Sequence, residues 1–166
     1  MLDTTKILID GGILSLAASL VIAISMLINP RLWLQDYPQE IQDSVPPKTD
    51  REKRLSLIVG VPFLLVMAGV ALWSTWRLQA ANQGGLSFLL LSIHAFGVVF
   101  IFNLFDWLIL DWLLFCTITP SWMVIPGTEG MAAYQDYFFH FRGFLVGIGF
   151  SAVTGPLIAA VVAVLG

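Results

Sequence analysis

The sequence predicts an all-α, polytopic integral membrane protein with four transmembrane helices in a bundle, and three observations carry that prediction. Four apolar stretches, at 7–28, 55–76, 86–117 and 138–165, each provide the roughly 20 residues needed to cross a hydrocarbon core about 30 Å thick. Hydrophobic residues make up 58% of the chain and charged residues only 11%, with a mean hydropathy of +0.87, against about 25% charged in ordinary soluble domains. Within the four stretches, the polar face that a soluble amphipathic helix shows at every turn is missing. The whole chain, 1–166, reads as a single membrane domain.

The first span ends at Asn29-Pro30, where proline stops the helix. Its apolar run continues to Ile28 with no small-x-small cleavage site beyond, so it reads as a retained span and not a signal peptide. Gly11, Ser15, Ser19 and Ala23 give it a short line of small residues. The loop 29–54 reads as solvated, with Trp33 and Tyr37 as headgroup anchors. Pro46-Pro47 extends its chain, and Thr49 or Asp50 caps the second span. Pro62 should kink that span; Trp73 and Trp76 mark its far interface, and the turn at 82–85 makes spans two and three antiparallel neighbours.

The third span is long. Leu86 to Thr117 contains no proline and Gly97 as its only glycine, and as an α-helix it would reach about 48 Å. It must therefore tilt, bend or run on past the bilayer. The loop 118–137 follows, broken by Pro120, Pro126, Gly127 and Gly130; its apolar piece at 122–125 is too short to cross and suits an interfacial or re-entrant segment. In the fourth span Gly143, Gly147, Ser151, Gly155, Ala159 and Ala163 recur every four residues, an extended small-residue packing stripe. The stripe is expected to meet the first span or a second protomer, and Pro156 adds a kink.

Five of the eight basic residues, Arg31, Lys48, Arg51, Lys53 and Arg54, fall in the first loop, and only Arg77 borders the second. The positive-inside rule then makes 29–54 and 118–137 cytoplasmic, in a bacterial inner or plasma membrane, with both termini outside. Lys6 is the one charge that speaks against this orientation. Net charge is −3 without a basic tract, which excludes nucleic acid as a partner; the lipid bilayer is the expected one, with a homo-oligomer or larger membrane assembly beside it. The single cysteine, Cys116, reads as a small buried side chain and excludes an intrachain disulfide.

Ionisable groups inside spans are costly and mark sites or ion pairs. Those here are His94, Asp106, Asp111, His140 and Arg142, accompanied by Asn103 and by Glu129 from the loop. The topology puts Asp106, Asp111, Glu129, His140 and Arg142 at one depth, near the cytoplasmic end of spans three and four. On an α-helix Asn103 and Asp106 share a face, whereas Asp106 and Asp111 point about 140° apart. Three readings follow: an ion pair tying the two helices, Asp106 or Asp111 with Arg142 or His140, Asp106 being the expected carboxylate; a site for a small polar ligand or lipid headgroup, with a metal held by the carboxylates and His140; and a proton path from Asp106 through Asn103 to His94.

Asn103-x-x-Asp106 falls short of the NDxxD element of membrane prenyltransferases, because the second aspartate is missing and the chain is too short. No metalloprotease, nucleophile-elbow, phosphate-loop or haem-attachment motif occurs, so the sequence names no catalytic residue, metal or cofactor. The expected role is structural or in membrane assembly. The alternative is an enzyme, binding protein or transporter acting on a small polar ligand or lipid headgroup at the inner leaflet.

Overall fold

The structure, a computed structural model, describes residues 2–165; Met1 and Gly166, the ends of the expected single domain, lie outside the described residues. Helix accounts for 83% of the chain, with no strand among the described residues. In order come α1 (Thr4–Ile28), a 3-10 segment (Pro30–Asp36), α2 (Gln39–Asp43), α3 (Asp50–Ala81) and α4 (Phe88–Phe105). α4 continues without a break into a π-helical segment (Asp106–Ile118), which is followed by short 3-10 turns (Ser121–Met123, Ala132–Gln135) and α5 (Tyr137–Leu165). Four helices, Thr4–Ile28, Asp50–Ala81, Phe88–Ile118 and Tyr137–Leu165, are long and apolar enough to cross a membrane.

Local chemistry sets the boundaries. Asp3 caps α1 by accepting from the Lys6 amide, and Ser87 caps α4 by accepting from Leu90. α3 begins at Asp50, earlier than 55, because Thr49 and Glu52 form a reciprocal capping box that satisfies its first amides. It passes through Pro62 as one helix. The turn to α4 uses left-handed backbone at Gln83 (φ 54°) and Gly84 (φ 75°), which the glycine adopts without a Cβ clash.

α4 is the central helix, flanked by α5 and α1. Within the chain the small-residue stripe of α5 therefore meets α4, not α1 as expected. A Cβ on Gly155 would lie 2.8 Å from the Ser92 carbonyl oxygen, and one on Gly147 would lie 2.6 Å from Asn103 Cγ, so only glycine permits this approach. Gly143 faces open space and Ala163 is exposed, so the ends of the stripe do not pack. The reason is geometric: a four-residue step overshoots a 3.6-residue turn by about 40°, and five such steps cannot stay on one face. Val162, three residues beyond Ala159, takes over at the end of the contact. α1 has its own close contacts with α4, Gly11 against Ile101 and Ile7 against Gly97.

The loop 29–54 is not the solvated segment expected. It folds with the loop 118–137 into a cap over one end of the bundle, around Tyr37, Ile41, Met123, Ile125 and Tyr134, with Phe115 and Cys116 beneath. Tyr37 is no headgroup anchor: it is fully buried and its hydroxyl donates to the Met123 carbonyl at 2.7 Å. The Tyr134 hydroxyl accepts from the Ile125 amide at 2.9 Å. Trp33 donates from Nε1 to Ser25 Oγ at 2.7 Å and meets Phe63 edge-on. The apolar piece at 122–125 supplies cap core instead of a re-entrant segment. Below the cap, Leu14, Ala18, Met67, Ala71, Val98, Val99 and Phe102 form an apolar middle layer.

Candidate functional site

The junction of bundle and cap is built on the π-helical segment. A π-helix winds more loosely than an α-helix and sets residues five apart above one another; such segments are rare and cluster at functional sites. Three contacts express that repeat. The Thr119 amide donates to the Leu114 carbonyl at 2.8 Å, Thr117 Oγ1 donates to the Trp112 carbonyl at 2.7 Å, and the Trp107 and Trp112 rings meet at 4.6 Å. Asp106 and Asp111, also five apart, are thereby drawn to one side of the helix, where α-helical winding would have turned them apart. Asp36 of the cap lies within electrostatic reach of both. The looser winding also makes this stretch shorter than an α-helix of the same number of residues.

His140 on α5 faces this segment. Its Nδ1 lies 3.0 Å from Asp111 Oδ1, and its ring is buried against Phe115 and Phe139. The expected Asp106–His140 or Asp106–Arg142 contact is absent among the described residues. His140 and Arg142 are two positions apart and point about 200° from each other on one helix, so only one of them can face α4. Arg142 is exposed, without an ion pair among the described residues. Asp106 is half-buried and its carboxylate meets no hydrogen-bond donor among the described residues. Asn103 turns toward α5 and donates to the Phe144 carbonyl at 3.1 Å. It stands about 180° around the helix from His94, and the apolar middle layer intervenes, so the path from Asp106 through Asn103 to His94 is not formed.

Two cap residues join the junction that the sequence did not single out. Asp36 accepts from Gln35 Nε2 at 2.7 Å. It keeps one edge open to water, yet crowding by surrounding protein pushes its carboxyl up to about 6, the Asp111 charge adding to the rise while the Gln35 hydrogen bond and the Lys48 charge oppose it. Lys48 donates to the Leu32 carbonyl at 2.6 Å, to Ser56 Oγ at 3.0 Å and to Gln35 Oε1, and burial lowers its ammonium from the usual value. Glu129 stays apart, on the surface, where its carboxylate accepts from the Gly127 amide at 2.9 and 3.1 Å and is held below the usual range by backbone hydrogen bonds.

At the opposite end a second polar set links three helices. Lys6 Nζ donates to Asp10 Oδ2 at 2.7 Å, Ser74 Oγ also bonds that oxygen, and His94 Nε2 lies 2.8 Å from Ser74 Oγ. His94 was the only member of this set among the expected site residues. Asp10 carried the same signal, a carboxylate inside an apolar segment with a lysine four residues before it.

The chemistry open to these groups is bounded by their geometry. Among the described residues no three His, Cys, Asp or Glu side chains are placed to hold a metal ion. Ser74 resembles a nucleophile only in name: it is fully buried, and Asp10 bonds the serine instead of orienting the imidazole. A cup of about 720 Å³ opens on the cap between Thr119, Val124, Glu129, Met131 and Tyr134, and none of Asp36, Asp106, Asp111 or His140 lines it. No protein family, characterised protein or solved structure matches the chain.

Proposed function

We propose that this chain is an integral membrane protein of four spans with a structural or assembly role, in which the Asp111–His140 pair latches the cap end of the bundle. The closed pair carries the reading: the imidazole is buried and is spent on a carboxylate of the neighbouring helix. Polar groups paired this way hold helices together. Arg31 does the same at the cap rim, bonding Glu52 at 2.6 Å and the Pro46 carbonyl at 2.8 Å.

The cap side is cytoplasmic in this proposal, in a bacterial inner or plasma membrane, with both termini outside. The basic cluster from Arg31 to Arg54 supports that orientation. Lys6, the one residue against it, is neutralised by Asp10 and adds no free positive charge. Lipid covers the outward faces of the four helices, and the ordered cap is the surface offered to a second protomer or larger assembly. One observation favours a second reading, a site for a small cation or amine headgroup at the inner leaflet: Asp106, beside Asp111 and Asp36, has no partner of its own.

Cys116, buried under the cap, supplies the test. Asp111→Asn or His140→Gln should raise its rate of maleimide labelling at least ~10-fold, and Tyr37→Phe should do so less. Unchanged labelling, together with a melting shift on adding small amines that Asp106→Asn abolishes, would replace the latch with the binding reading. New cysteines at Gln42 and Gln83 in a Cys116→Ser background report orientation, and labelling of position 83 from the cytoplasm would invert it.

A further inference from the structure

The Lys6–Asp10–Ser74–His94 chain runs from a lysine that is 20% exposed to an imidazole that is fully buried. It lies at the end of the bundle away from the cap, where α1 and α4 begin and α3 ends. Its hydrogens can be placed by counting. Asp10, paired with Lys6, is an acceptor, so the single Ser74 hydrogen goes to Asp10 Oδ2. Ser74 Oγ must then accept from His94, which puts the imidazole hydrogen on Nε2. Nδ1 is left as a bare lone pair, and it is buried without a partner. The resting set is neutral, as a poorly hydrated interior favours.

We propose that these residues form a proton relay whose buried acceptor is Nδ1 of His94 and whose surface end is Asp10 with Lys6. A hydronium ion that reaches Nδ1 gives up one O–H bond, forms an N–H bond there and departs as water. The Nε2 proton then moves to Ser74 Oγ as the serine hydrogen moves to Asp10 Oδ2. One N–H bond breaks, one O–H bond is exchanged at the serine, and one O–H bond forms on the carboxyl, which releases its proton to water beside Lys6. The charged groups acting on His94, Lys6, Asp10 and Asp3, all come from α1 and its N-cap. α3 contributes the uncharged Ser74, and α5 carries no titratable side chain from Ser151 to Leu165. The inference is independent of the latch, which lies beyond the apolar middle layer.

Nitrogen-15 NMR on the full chain in detergent tests it, with the His94 signals identified by their loss in His94→Gln and a histidine-free affinity tag. At neutral pH the shifts should report hydrogen on Nε2 and none on Nδ1. Hydrogen exchange at Nε2 should slow at least ~10-fold in Ser74→Ala and Asp10→Asn, while Ser74→Thr, which keeps the hydroxyl, should stay near the unsubstituted rate. Hydrogen found on Nδ1 would overturn the proposal without any further variant. Equal exchange in the folded alanine, asparagine and threonine variants would overturn it as well.

Discussion

The contact between Gly147 and Asn103 offers the sharpest test of the α4–α5 packing. An alanine at 147 would place its Cβ 2.6 Å from Asn103 Cγ and closer still to Oδ1, so the asparagine must swing away. Its hydrogen bond to the Phe144 carbonyl then breaks, at about 0.6–1.7 kcal/mol for an interhelical bond in a membrane protein. Residual overpacking adds roughly 1–3 kcal/mol, so Gly147→Ala should cost about 2–5 kcal/mol. Asn103→Ala alone should cost about 1–2 kcal/mol, through the lost bond and a small cavity. The double variant has nothing left to clash, and alanine is the better helix former by up to about 1 kcal/mol. It should therefore lose no more than Asn103→Ala alone, at least about 2 kcal/mol less than the sum of the single losses. Reversible unfolding in mixed micelles, titrated with a denaturing detergent and followed by tryptophan fluorescence, measures all three. Gly143→Ala and Gly149→Ala, whose new methyl groups meet nothing within 4 Å, are the controls and should be neutral. Additive losses at 147 and 103, or a control as damaging as Gly147→Ala, would refute the packing.

Two further outcomes follow from the junction. Asp111→Ala should lower the melting temperature more than Asp106→Ala, because it leaves the buried His140 Nδ1 without its partner while Asp106 has no partner to lose. The lost contact should cost roughly 1–3 kcal/mol; the reverse order would count against the latch. Asp36 gives a pH signature. Its folded-state value, about 6, lies above its unfolded value near 3.8, so its contribution to stability is complete below about pH 4 and is lost as pH rises through 6. Asp36→Asn should therefore melt higher than the unsubstituted chain at pH 7 and alongside it near pH 4; a gap that stays constant with pH would exclude Asp36 as its source.

Much of the architecture was legible in the chain. Four runs of apolar residues, Pro30 after the first, the turn at 82–85 and the capping signal at Thr49 depend on nearest neighbours and the length of a helical turn, and the helices fall where those signals put them. What a four-residue repeat of small side chains will touch is different information. Gly147 and Gly155 announce a close approach but not its partner, and that partner, α4, is chosen by how all four helices fill space together. The cap was hidden for the same reason: Tyr37 and Met123 lie far apart in sequence, and each looks like an isolated apolar residue in a polar loop until the two loops meet.

The polar groups divide along the same line. Residue type and depth alone singled out Asp106, Asp111, His94 and His140, because ionisable side chains in apolar segments are costly wherever they sit. Which carboxylate receives His140 depended on helical winding. The π repeat turns Asp111 to the face where α-helical geometry would have placed Asp106's partner, and local composition does not encode that change. Sequence by itself thus showed which ionisable groups fall in apolar segments, from the hydrophobicity of the surrounding residues, although Arg142 among them is exposed and the buried Asp10 was passed over. Only the tertiary structure decided which groups pair, since pairing depends on distances of about 3 Å between side chains on separate helices.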